Sequence, residues 1–305
     1  MSKKIILIAG PTASRKSEIS INIAKKINGE IINADSMQVY KEFSILSSRP
    51  SKNNLKKAKH HLYGFLSVKD YFSTGQWLKL VKKQIDDCFY RKKIPMLVGG
   101  TGLYFSAITK GISQIPEIDY KSRDLIRNLH KKIGQKKFYE KLIIIDPLSK
   151  NKILPTDSQR TIRAYEVILS TKKSLYEWAK NTKSDFEDYD IKKIFIDIPR
   201  KDLLKNIVKR TNLMFKNNCV KEVEKFNKIK VDKSLSANKL IGVKEINEYL
   251  AGARGLDQTK ELINIKTRQY AKRQNTWSRG HMKNWNKLYS KDLSVLSKKI
   301  LKAIS

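Results

Sequence analysis

The sequence predicts an α/β fold: a doubly wound parallel sheet carrying an all-helical insertion. Three observations predict it. Four short strand-like runs, residues 5–9, 30–33, 95–98 and 193–198, are apolar enough for strands covered on both faces. The first two are joined by a helix-patterned stretch, which makes the opening a βαβ unit. About 90 residues separate the third run from the fourth, far more than the dozen or so that one crossover requires.

Taken in order, Ile5-Ile6-Leu7-Ile8-Ala9 is the first strand and Gly10 to Ser14 the turn. A helix follows from Lys16, with Ile19, Ile23 and Ile27 as its buried stripe. Asn28-Gly29 ends it. Glu30 to Asn33 forms the second strand, Pro95 to Val98 the third, ahead of Gly99-Gly100-Thr101-Gly102, and Lys193 to Ile198 the fourth, ending at Pro199. The intervening stretch is basic and helix-patterned, as from Asp124 to Lys141, and beyond Pro199 the pattern is helical nearly to the end. The expected organisation is residues 1–114 as the first part of the core, 115–190 as a helical insertion, and 191–305 as core completion with basic C-terminal helices.

Among 305 residues, 64 Lys and Arg stand against 29 Asp and Glu, a formal charge of +35. The charge is spread along a chain that is 40% hydrophobic, which argues against a disordered basic tail. Such a field attracts polyanions, nucleic acid first and an anionic membrane surface a distant second. No apolar run approaches the ~18 residues of a spanning helix, and the apolar start breaks too early at Gly10-Pro11 for a signal peptide. A cytoplasmic protein with no membrane partner is expected. Cys88 and Cys219 are too few for a disulfide framework or a four-cysteine zinc site, and the adjacent His60 and His61 lack metal-ligand spacing.

Two motifs carry chemistry. Gly10-Pro11-Thr12-Ala13-Ser14-Arg15-Lys16-Ser17 lies between strand and helix, as a phosphate-binding P-loop does. There, backbone amides cradle phosphates, Lys16 neutralises their charge and Ser17 ligates Mg²⁺. Arg15 replaces the second glycine of that pattern. Three placements are open to it: outward, onto the phosphates, or into the site as damage. The second motif, Asn33-Ala34-Asp35-Ser36-Met37-Gln38, falls at the carboxyl end of the second strand, where doubly wound sheets bind ligands. A carboxylate there accepts a proton or positions Mg²⁺; otherwise Asp35 caps the next helix.

With these in place the chain resembles the bacterial-type tRNA dimethylallyltransferases, also called tRNA isopentenyltransferases or IPP transferases. The resemblance adds His60-His61-Leu62, Val98 to Tyr104, Asp157 to Val167, Ile241 to Glu245, and Thr267 to Gln274 with Thr276-Trp277. It implies a P-loop NTPase-like core and transfer of a dimethylallyl group from dimethylallyl diphosphate to N6 of adenine-37, beside the anticodon of tRNAs reading codons that begin with U. Gly10 to Ser17 would then hold diphosphate with Mg²⁺. Asp35, Thr101 and Lys16 would be catalytic, Asp35 taking the N6 proton. Partner contacts would come from Asp35 to Gln38, Thr101, Arg123, Gln159, Arg160, Thr161, Ile162, Arg163 and Lys244, with Arg268, Lys272 and Arg273 on the anticodon stem. The partner is the tRNA anticodon stem-loop, and a monomer is expected. Tyr270 and Trp277, seven apart on a helix, read as core.

Several positions depart from the family pattern. Besides Arg15, Leu154 and Thr156 replace a His and an Asn, Ser278 replaces an aromatic, and Asn218 stands where glycine is usual. Three rivals follow: a non-catalytic RNA-binding relic, a P-loop small-molecule kinase, and an isopentenyltransferase acting on free adenine nucleotides.

Overall fold

A computed structural model describes residues 3–305. Its strands are β1 (Lys4–Ala9), β2 (Gly29–Ala34), β3 (His60–His61), β4 (Ile94–Gly99), β5 (Asp190–Ile196) and β6 (Asn286–Leu288). The helices are α1 (Lys16–Ile27), α2 (Lys52–Lys57), α3 (Thr74–Tyr90), α4 (Gly102–Lys110), α5 (Tyr120–Ile145), α6 (Ser158–Thr171), α7 (Leu175–Lys180), α8 (Arg200–Lys216), α9 (Cys219–Lys228), α10 (Val243–Leu250), α11 (Leu256–His281) and α12 (Leu293–Ile304). Contacts divide the described residues into two compact units, one running to Ala107 and resuming at Asp188–Ser305, the other Ile108–Glu187.

The first unit is built on one six-stranded sheet, ordered β3-β2-β4-β1-β5-β6, with every pairing parallel. Ile5, Leu7 and Ile8 are fully buried because helices cover both faces. On one face Ile19 and Ile23 of α1 pack with Leu296, Ile300 and Ile304 of α12. Each such aliphatic side chain contributes roughly 1.5–3 kcal/mol by leaving water. Asn28, in left-handed conformation, caps α1 by donating its amide to the Ala24 carbonyl. A second apolar cluster gathers Phe43, Leu46, Val223, Phe226 and Ile246.

Where the structure departs from the expected elements, pairing explains it. β5 stops at Ile196, so Asp197 and Ile198 lie past the strand at the sheet's carboxyl edge. The helical reading beyond Pro199 is corrected by β6, three residues whose only strand credential is the open edge of β5. β3 is shorter still, two residues, and pairs His60 with Ile31. His61 then meets the buried Glu30, 2.6 Å away, with Cys88 beside it. Arg91 grips the same carboxylate through both terminal nitrogens. Burial alone would raise the Glu30 carboxyl, but its bonds to Arg91 and His61 hold it at about 2. The cluster is therefore a closed ion-pair network at the amino-terminal end of β2, with the guanidinium in the cation's place.

β1, β2 and β4 align so that Ala9 and Ala34 both register with Gly99. A Cβ at Gly99 would sit 1.9 Å from the Ala34 carbonyl oxygen, a backbone atom that cannot turn away. Gly99→Ala is expected to cost more than ~3 kcal/mol of stability, read as a lower urea midpoint at unchanged m-value.

In the second unit α5 packs on α6 around Phe138, Leu142, Ala164 and Tyr165. Asp119 and Asp157 cap the starts of α5 and α6, accepting from the amides of Ser122 and Arg160. Gly134 breaks α5 with φ 77 and ψ 165, so the helix expected over 124–141 is two segments meeting at the residue that tolerates this backbone.

Candidate active site

The carboxyl ends of β1, β2 and β4 converge on one site. After Ala9 the chain turns through Gly10–Arg15 into α1, whose first amides, at Lys16 and Ser17, have no partner within the helix. The loop is held from outside by α8 and α11. Asn206 donates to the Ala13 carbonyl (3.0 Å), and Arg210 to Thr12 Oγ1 (2.6 Å). Gln274 accepts from the Thr12 amide (2.8 Å) and donates to the Gly100 carbonyl (2.9 Å), tying the loop to the β4 turn.

Arg15 takes the first of its three open placements. Its backbone is left-handed (φ 62, ψ 17), the conformation for which glycine is usual at this step. Its guanidinium turns outward to Glu18 (3.0 Å) and the Lys291 carbonyl (3.3 Å). The loop keeps its path, and only the intrinsic cost of a left-handed non-glycine, ~1 kcal/mol, remains. Asn218 shows the same substitution logic with φ 63.

Lys16 is buried, with its ammonium 3.0 Å from the Pro11 carbonyl. Burial lowers its pKa to about 8, Asp35 opposing that shift and Arg210 adding to it. Ser14 Oγ is buried without a hydrogen-bond partner, an orphan donor inside the loop. Ser17 is half-buried at the helix start.

Asp35 follows β2, and its backbone is fixed by the fully buried Asn33, whose amide donates to the carbonyls of Asp35 and Leu62 (both 3.0 Å) and whose Oδ1 accepts from the Asp35 amide (2.9 Å). Asp35 Oδ1 accepts from the Met37 amide (2.9 Å), so the alternative reading as a local cap is half right: it caps a turn, and α2 begins only at Lys52. Thr101 Oγ1 accepts from the Ser36 amide (2.9 Å) and donates to Ser36 Oγ (3.3 Å). Gln38 donates to the carbonyls of Ser47 and Ser48. Met37 packs against the apolar cluster of Phe43 and Leu46.

Five groups feel the Asp35 charge. Lys16 and Arg210 are cationic; Tyr63, Tyr104 and Tyr270 have phenols raised by burial first and by Asp35 second. Tyr104 stacks on Trp77 at 3.9 Å, and the Trp77 indole donates to the Asn33 carbonyl. Tyr270, read from its spacing as core, is instead half-buried beside the site, and Trp277 packs over Gly102 and stacks on His281. The arrangement offers cations and open amides for an anion, a carboxylate for a proton, and three tyrosines within reach of that carboxylate's charge.

Sequence reasoning missed Arg210, Asn206 and the Gln274 side chain as loop supports. One signal was present. Leu203, Ile207 and Met214 form the buried stripe of α8, and Asn206 and Arg210 flank it at helical spacing. Polar residues flanking an apolar face need partners there.

The remaining expected residues lie elsewhere. Lys244 is exposed on α10, 3.8 Å from Glu248. Arg268 and Lys272 line a cavity of about 800 Å³ with Arg200 and Arg279, whereas Arg273 turns from them over the Tyr270 ring. In the second unit Gln159 and Arg160 are exposed, and Arg160 pairs with Asp157. Arg123 and Arg163 are half-buried. Thr161 is fully buried, its hydroxyl donating to the Asp157 carbonyl, and Ile162 packs in the apolar core.

Because Lys16 is charged only below about 8, binding of inorganic diphosphate is expected to weaken by up to about tenfold per pH unit above that value. Calorimetric titration from pH 7 to 10 reads it, with Lys16→Met removing the part of the slope that the ligand's own protonation does not supply.

Comparison with known proteins agrees along nearly the whole chain. A family model described as IPP transferase matches residues 38–281, and a second, isopentenyl transferase, matches 3–67. A tRNA dimethylallyltransferase of Pelagibacter ubique is 52% identical over 300 residues, covering 98% of this chain and 96% of that one. One from Rickettsia massiliae is 42% identical over 283 residues, covering 92% and 78%. Among solved structures, the tRNA isopentenylpyrophosphate transferase of Bacillus halodurans aligns at a TM-score of 0.69 and 28% identity, covering 99% and 97%. A eukaryotic dimethylallyltransferase acting on tRNA aligns at 0.78 and 26%, covering 91% and 70%.

Proposed function

The chain belongs to the IPP transferase family, and from that premise we propose that it transfers a dimethylallyl group from dimethylallyl diphosphate to N6 of an adenine beside the tRNA anticodon. The observation that carries the reading is the pairing of a diphosphate cradle with a carboxylate. Lys16 is buried within reach of the charges of both Arg210 and Asp35, at the end of a loop that runs into the unpaired first amides of α1.

The chemistry balances with the groups present. The N6 lone pair forms a bond to the allylic carbon, the carbon–oxygen bond to diphosphate breaks, and the N6 proton passes to Asp35. Lys16, the amides at the start of α1 and Arg210 stabilise the charge that grows on the leaving group. Thr101 and Asn33 hold the Asp35–Ser36 backbone in register. Ser17 supplies a hard oxygen donor at the loop and fits Mg²⁺; when bound there, the ion neutralises diphosphate charge. The target adenine enters from a single-stranded loop, which makes unstacking inexpensive. The +35 charge and the exposed Gln159 and Arg160 support anticodon stem-loop binding.

The relic reading rested on Arg15, and the outward guanidinium removes its ground. Arg15→Gly is accordingly expected to leave transfer within about twofold and to relieve ~1 kcal/mol of backbone cost. A large loss of activity would mean that Arg15 reaches phosphate. The direct test is nucleoside mass spectrometry after incubating unmodified tRNA with the protein, Mg²⁺ and dimethylallyl diphosphate. N6-dimethylallyl-adenosine is expected; tRNA binding without product would restore the relic, and ATP consumption without tRNA the kinase.

A further inference from the structure

Within the second unit a buried acid lies on the face that carries the basic residues. Glu166 is 3% exposed, in a segment whose other charged groups are mostly cations. Its Oε2 lies 3.4 Å from Arg163 of the same helix, and its Oε1 3.5 Å from Nε of Arg127 on α5, without a hydrogen bond at Oε1. Arg123, one turn before Arg127, has a buried Nε with no partner and acts on Arg163 as a like charge. Burial disfavours the Arg163 charge, Glu166 restores it and Arg123 opposes it. Two guanidiniums therefore share one carboxylate, with a third, Arg123, acting on Arg163 beside them. The side chains of Arg127 and Arg163 keep 32% and 38% exposure, while the Glu166 side chain keeps 4%.

A carboxylate on an RNA-facing surface should weaken RNA binding by simple charge. Buried beneath arginines it does something else. Without it the guanidiniums repel one another and splay. With it Arg127 and Arg163 are held close while both side chains stay partly open to solvent, where a planar guanidinium suits a phosphate oxygen. The geometry points to Glu166 as a positioning residue that sets Arg127 and Arg163, with Arg123 alongside, as a clamp for a phosphate of the RNA substrate. Arg127 is thereby a phosphate contact in its own right. The inference rests on the proposed function and deepens it, by naming what orders the basic face of the helical unit.

The sign of one substitution separates positioning from bulk charge. Glu166→Gln makes the chain more positive, so a bystander acid predicts tighter or unchanged RNA binding. Positioning predicts weaker binding, by about 5–10-fold in Kd. The measurement is fluorescence anisotropy with a labelled anticodon stem-loop and no prenyl donor, at two salt concentrations, with a thermal melt of each variant. Arg127→Lys keeps the charge and loses the fork, and is expected to weaken binding about 3-fold or more. The double variant should be no worse than the weaker single one, because both remove the same clamp. In turnover the loss should appear in KM for RNA and spare kcat. If Glu166→Gln fails to fold, Arg127→Lys decides: unchanged binding overturns the clamp. Wild-type protein that does not bind the stem-loop would sink the proposed function itself; wild-type binding with unaffected variants would sink this inference alone.

Discussion

Asp35→Asn is expected to slow dimethylallyl transfer about 10³-fold, within the usual worth of a positioned general base, while anticodon stem-loop binding stays within about twofold. The substitution is chosen over Asp35→Ala for a structural reason. Asp35 Oδ1 accepts from the Met37 amide, and Asn33 brackets the Asp35 backbone. An asparagine keeps the turn acceptor and loses only the proton acceptor. Asp35→Ala removes both, and should abolish transfer with a somewhat looser 35–38 segment. The exocyclic amine of adenine is a poor nucleophile until its proton has a destination, so the loss belongs in kcat under saturating substrates. Single-turnover quench measurements read the step directly. Transfer by Asp35→Asn at the wild-type rate would mean that the carboxylate only shapes the turn.

Arg210→Gln should cost about 10²–10³ in kcat, the scale found for removing one preorganised donor from a developing anion. Its guanidinium reaches Thr12 Oγ1 at 2.6 Å and the Leu46 carbonyl at 3.3 Å in a half-buried position that disfavours its charge. It holds the loop's shape and adds a positive charge beside Lys16. Arg210→Lys should not rescue, because a single ammonium cannot span both partners. A second consequence follows from the same charge. Arg210 helps to lower the Lys16 pKa, so its removal should move the pH at which diphosphate binding fades above about 8. A rate loss with no movement of that pH would assign Arg210 to loop support alone. Stem-loop affinity should be unaffected in either case.

Asp35 was legible in the sequence: an acid just past an apolar strand, near a phosphate loop, falls where doubly wound sheets place their ligands. Gly10 to Ser17 was legible for the same reason, since loop, lysine, serine and flanking elements all agree. Arg210 was not. It sits some 175 residues from Asp35 on a helix whose pattern announces only an apolar stripe, and nothing local says which loop that helix supports. Tyr270, expected in the core, is half-buried within reach of the Asp35 charge, because helical spacing tells that a face is covered and not by what. The short strands β3 and β6 escaped notice because two or three residues carry no alternation; they exist by grace of the neighbouring edge.

By itself, then, the sequence determined the parallel core and located the proposed phosphate loop and the proposed catalytic carboxylate, because each depends on residues near one another in the chain. Tertiary structure alone decided how Arg15 is tolerated, which side chains brace the loop and why an acid belongs among the basic residues of the helical unit. Arg15 meets Lys291, Thr12 meets Gln274 and Arg210, and Glu166 meets Arg127, each pairing separated by tens to hundreds of residues. Such contacts are chosen by the packing of whole elements, and the free energy of a buried charge depends on what packing brings to it.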